Sequence, residues 1–187
     1  MIVFRASALR QVGALLLAVS GLVACYDPIP PSQRIWANEV TSSAGLWPEA
    51  REAVRFDPAE SFDRNGSLTL ENSGDSMFLL FVVDSASLAG LELENSLISY
   101  QARLRTRALQ GQAQIHVGVR MRDGQTQGAM PGSETPPLEG DADWVLQEAN
   151  LLLEPGEVPD AIFLMLEVKG TGQVWIDDLR VLTTPRG

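Results

Sequence analysis

The strongest constraint in this chain is a period of two. In "SYQARLRTRAL" (99–109), Tyr100, Ala102, Leu104, Thr106 and Ala108 fall on one side of an extended backbone, and Gln101, Arg103, Arg105 and Arg107 on the other. "GQAQIHVGVRMRDG" (111–124) repeats the pattern, with Ala113, Ile115, Val117, Val119 and Met121 turned inward. "AIFLMLEV" places Ile162, Leu164, Leu166 and Val168 together, "GSLTLEN" sets Leu68 and Leu70 against polar neighbours, and "GQVWIDDLRVL" (172–182) adds a last such run. "SMFLLFVVD" (76–84) is continuously apolar and reads as a strand buried on both faces. Alternation over short runs bounded by Gly, Pro and Asp is the mark of half-buried strands. Helix is scarce: "WPEAREAVRF" (47–56) holds one turn, with Pro48 early, where its missing N–H costs nothing. Eight or nine strands in one domain predict an all-β fold, an antiparallel β-sandwich of the jelly-roll kind.

The first residues carry an address. Arg5 and Arg10 precede an apolar run from Val12 to Val23, too short for a membrane span and suited to a secretory signal. The run ends in Leu22-Val23-Ala24-Cys25, and Cys25 is the single cysteine of the 187 residues, so it has no partner for a disulfide. These four residues resemble the lipobox of bacterial lipoproteins. The resemblance implies a signal peptide over 1–24, cut before Cys25, and acyl chains on the cysteine that anchor the protein to a membrane. It also implies an outer-membrane destination, because Asp27 stands one place beyond the position that retains enteric lipoproteins at the inner membrane. Residues 25–34 then read as the lipidated cysteine and a Pro-rich tether, with the folded domain at 35–187. Residues 1–24 hold two of the 14 basic residues and no acid, which leaves 12 basic against 24 acidic and a formal charge of −12. So acidic a domain is a poor nucleic-acid binder, since that affinity rests on neutralising phosphates.

The segment from Gly140 to Leu182 resembles the galactose-binding-like jelly rolls that include many carbohydrate-binding modules. Trp144 opens a strand, a turn follows between Pro155 and Pro159, Gly170 and Gly172 form a Gly-x-Gly, and Trp175-Ile176-Asp177-Asp178-Leu179 closes the pattern. The resemblance implies a glycan or another envelope protein as partner, and a core position for Trp144. It also implies a structural Ca²⁺ ion held by Asp178, with Glu39 as a second acid. "FDRNG" (62–66) is no calcium loop: counted from Gly66 as sixth, the twelfth position is Asn72, where a bidentate Glu belongs. The Asp177-Asp178 pair interrupts the alternation between Ile176 and Leu179, which predicts a β-bulge.

The polar face of the two alternating runs supplies the candidate site. With a hairpin turn near Gln110-Gly111, Arg107 faces Gln114 and Arg105 faces His116, and Arg103, Arg120 and Arg122 extend the stripe. Forked guanidinium donors suit sugar hydroxyls, uronates or a carboxylate-bearing partner. The other reading is a solvated face neutralised by acids such as Glu148 or Glu154. Phe163, Met165 and Trp175 turn away from the core, and Trp175 offers a stacking surface for a sugar unless the segment carrying Trp36 and Trp47 covers it. Residues 123–143 show no apolar periodicity and read as a long loop. Catalysis has little to work with: His116 is the only histidine, and the chain has neither a Gly-x-Ser-x-Gly elbow nor a His-Glu zinc motif. The expectation is a non-catalytic binding domain. A structural or assembly lipoprotein that docks an envelope protein is the alternative.

Overall fold

The computed structural model describes residues 31–129 and 135–186. Cys25, the expected signal peptide and most of the expected tether lie outside the described residues. Eight strands join in one continuous antiparallel sheet: β1 (Gln33–Asn38), β2 (Arg55–Asp57), β3 (Ser67–Ser73), β4 (Ser76–Val83), β5 (Ser96–Met121), β6 (Thr126–Ala129), β7 (Leu138–Leu153) and β8 (Pro159–Pro185). The sheet folds over into the expected antiparallel β-sandwich, its inward residues gathered in one hydrophobic cluster. β1 already includes Gln33 and Arg34, so ordered pairing starts two residues before the boundary set at 35. Part of the stretch expected to be one long loop, 123–143, is strand: β6 pairs with β5 at Val117–Arg120, and β7 begins at Leu138. Pro48 opens a 3-10 helix, Pro48–Glu52, as its fixed φ allows.

The expected hairpin at Gln110-Gly111 does not form. β5 runs straight through it for 26 residues, antiparallel to β8 from Ser96↔Pro185 to Met121↔Pro159. The glycines serve a close crossing instead of a turn. A Cβ at Gly111 would stand 2.0 Å from the Lys169 carbonyl oxygen, and one at Gly170 would stand 1.9 Å from that of Gln110. Both glycines have positive φ, 143° and 84°. Ala108, at φ 50°, carries the extra residue of a bulge there, since Arg107↔Gln173 is followed by Gln110↔Thr171. That bulge flips which residues face inward, from Tyr100, Ala102 and Leu104 to Ala113, Ile115 and Val117, all fully buried. Ala108 itself is exposed, against the simple alternation.

The second bulge falls where it was expected. Asp178 adopts φ 50°, and the register steps from Gln101↔Arg180 to Arg103↔Asp177. Inward positions shift from Val174 and Ile176 to Leu179 and Val181.

The long strands therefore divide the sheet into two halves. In one, β4 and β6 flank the 162–168 part of β8 and the 117–120 part of β5. In the other, β1 and β3 line β8 while β7 pairs with β5. β4 is not buried on both faces: it pairs with β8 alone, and Met77 is 52% exposed. Trp144 is half-buried within β7 and is not a core plug. Its neighbourhood contains a third bulge, where Leu104↔Val145 is followed by Thr106↔Ala142.

Candidate functional site

The Ala108 bulge in β5 splits the predicted stripe. Arg103, Arg105 and Arg107 lie with Trp175 on the β7 half, while Gln114, His116 and Arg120 lie on the β6 half.

On the β7 half, residues 57–62 are strapped across the outer surface. The Trp175 indole Nε1–H donates to Asp57 Oδ2 at 2.9 Å, and the Phe62 amide donates to Asp177 Oδ2 at 2.8 Å. Glu60 takes Arg105 at 2.5 Å and Arg107 at 3.6 Å. The two guanidiniums sit 5.7 and 5.2 Å from the Trp175 ring centre. Arg103 sits 4.1 Å from the ring centre of Phe62. Trp175 is consequently 2% exposed, and no sugar ring can stack on it in this arrangement. Its cover is the Asp57–Phe62 segment with two arginines, not Trp36 or Trp47; Trp36 packs instead on Phe81, with ring centres 5.5 Å apart. The acids beside the stripe also differ from those expected: Glu60 and Asp143 meet the arginines, and Glu148 is held by Gln101 at 2.7 Å. Hydrogen bonds, chiefly from Trp175, hold the Asp57 carboxyl below the usual range, whereas burial pushes that of Asp177 up.

Asp178 does not fit the calcium role the resemblance implies. Its carboxylate is engaged by Arg180 at 2.6 Å, and among the described residues no three acids, histidines or cysteines come together.

The β6 half presents an open groove of about 340 Å³. Glu167 forms its polar side: Gln114 Nε2 donates to Oε2, His116 Nε2 lies 3.1 Å from the same oxygen, and Lys169 Nζ stands 3.2 Å from Oε1. His116 thus faces a carboxylate, not the arginines among which the hairpin would have set it. Burial works against the charged Glu167, but the three donors outweigh it and hold the carboxyl below its usual range. Met77 and Met165 form the apolar walls. Gly128, paired across from Gly118, adds no side chain to the lining. Arg120 lies farther along the strand and pairs with Asp160 at 2.8 Å. Sequence reasoning found Gln114 and His116 but missed Glu167, Lys169, Met77 and the glycine pair. Glu167 and Lys169 share the outward parity of Phe163 and Met165, and that was the signal available.

A half-buried carboxylate ringed by amide, imidazole and ammonium groups, next to a soft apolar wall, supports hydrogen bonding to a polyhydroxyl ligand with one apolar face.

No protein-family model and no curated protein matches the chain. Solved structures do. The chain resembles the CBM22-2 xylan-binding domain of Paenibacillus barcinonensis Xyn10C (13% identity, TM-score 0.52, 83% of this chain and 99% of that one). It resembles a xylan-binding domain of carbohydrate-binding module family 22 (12%, TM-score 0.51, 84% and 99%). It also resembles the CBM22-1–GH10 modules of Clostridium thermocellum Xyn10B in complex with xylohexaose (10%, TM-score 0.54, 82% and 29%). At these identities the likeness defines the fold: a β-sandwich of the kind used by carbohydrate-binding modules.

Proposed function

We propose that this chain is a non-catalytic glycan-binding domain held at a bacterial cell envelope by a lipidated Cys25, and that the glycan lies in the Gln114–His116–Glu167 groove. The observation that carries the reading is the convergence of three donors on one half-buried carboxylate beside methionine walls. Sugars expose both hydroxyls and C–H faces, and the groove offers a partner to each. Its concave, mixed lining suits a glycan better than the flat apolar patch a docked envelope protein would need. Solved structures of this fold that are described as xylan-binding support the same choice.

Titration calorimetry of the full chain in detergent, with neutral oligosaccharides as ligands, tests the groove. His116→Ala with Gln114→Ala is expected to weaken binding at least tenfold, because removing partners leaves ligand hydroxyls unsatisfied on the order of 1–3 kcal/mol each. Unchanged affinity in that variant sinks the assignment. The anchor is a separate question. Cys25→Ser is expected to leave the protein unprocessed or unanchored, and mature membrane-bound protein in that variant contradicts lipidation.

A further inference from the structure

We infer that the β7 half carries a second saccharide site, formed by Arg105, Arg107, Asp141 and Asp143 and extended by Phe62 and Leu146. It rests on the glycan-binding reading but occupies different strands from the groove.

A recess of about 220 Å³ opens between β5 at Arg105–Arg107 and β7 at Asp141–Asp143. Its planar polar groups are only partly engaged. Asp141 Oδ1 accepts the Ala108 amide at 2.5 Å, and Asp143 Oδ1 accepts the Trp144 amide at 2.9 Å. The second oxygen of each carboxylate has no partner among the described residues. Arg107 reaches Glu60 only at 3.6 Å and Arg105 reaches Asp143 only at 3.8 Å, while the Asp143 side chain is 89% exposed. Arg105 Nη1 is held by Glu60 at 2.5 Å, which leaves its other guanidinium nitrogens and those of Arg107 as donors beside the open carboxylate oxygens, the acceptor and donor pattern that vicinal hydroxyls match.

An apolar surface follows along the same two strands. Arg103↔Leu146 is the adjoining outward pair, with Phe62 stacked on the Arg103 guanidinium. Phe62 and Leu146 remain 44% and 37% exposed. Two residues along a strand span roughly 7 Å, about one sugar ring. The bulge at Asp143–Trp144 re-aims this edge, as bulges do beside sites. With Glu60, Asp141 and Asp143 balancing the two arginines, the recess favours neutral sugars over uronates. Two sites on one domain would also raise avidity for a polymer without any new contact.

The Ala108 and Trp144 amides report on the recess because they donate to its two aspartates. The experiment is an ¹⁵N NMR titration of the full chain in detergent micelles with xylohexaose, cellohexaose and mannohexaose. The expected result is two sets of shifting amides, one at residues 114–118 and 165–169, the other including Ala108 and Trp144. Arg107→Gln with Asp143→Asn should abolish the second set at least tenfold in affinity and leave the first intact. Shifts confined to the groove set overturn the second site alone. Loss of both sets on mutating His116 overturns it too, because the recess would then be responding to the groove. No shift with any of the three sugars overturns both readings.

Discussion

Replacing Trp175 with alanine is expected to destabilise the domain by about 3–5 kcal/mol, the range for emptying a fully buried aromatic site. The cost has three sources. The indole fills space under Arg105 and Arg107, its N–H satisfies Asp57, and its loss frees the Asp57–Phe62 strap that Glu60 helps to hold. Urea unfolding measures the effect; a loss below about 1 kcal/mol would mean that the residue is not enclosed. Trp175→Phe separates packing from hydrogen bonding. Asp57 has a lowered folded-state pKa, so it contributes stability above its ordinary value of 3.8 and loses that contribution as pH falls through the folded value. The phenylalanine variant should therefore show a flatter acid limb of stability against pH than the wild type.

Gly170→Ala should be comparably severe, for a different reason. The new Cβ would meet the Gln110 carbonyl oxygen at 1.9 Å and Gly111 Cα at 3.2 Å, in a left-handed backbone of φ 84°. Both contacts are backbone, so neither can swing aside. The crossing of β5 and β8 must open, at a cost on the order of 3 kcal/mol or more. Gly156→Ala is the control: its φ is 86°, yet its Cβ would meet nothing within 4 Å. Only backbone strain remains there, about 1–2 kcal/mol. Similar losses for the two variants in urea unfolding would contradict the close crossing.

These two residues also mark what was and was not legible in the sequence. Strand identity was legible where alternation was strict, as in β3 and in each half of β5, because period two is a local property. The Asp177-Asp178 bulge was legible because strict alternation would set Ile176 and Leu179 on opposite faces, and one extra residue between them restores both to the inward side. The joining of two runs into β5, and of two more into β8, was not. Gly111 and Gly170 look like turn residues locally, and only their pairing with each other turns them into a crossing. Trp175 looked like a surface aromatic by parity, because the strap that buries it comes from Asp57–Phe62, more than a hundred residues earlier. The arginine stripe was sound as an outward face, but its single site dissolves once the bulge at Ala108 divides β5. The groove lay half in view: Gln114 and His116 were found on β5, while Glu167, their common acceptor, sits on another strand.

The central claim is that a glycan binds on the β6 half, in the groove over Glu167. Its most direct test is affinity electrophoresis of the full chain through detergent gels containing neutral polysaccharides, comparing wild type with Gly128→Leu. Gly128 lines the groove, and a Cβ built on it meets nothing within 4 Å, so the leucine side chain starts in open space at the groove, and a matching urea-unfolding midpoint for the two proteins checks that the fold is kept. The account predicts retardation of the wild type in at least one polysaccharide, and at least a tenfold weaker interaction for Gly128→Leu. Equal retardation of both proteins, or none in any gel, would contradict it.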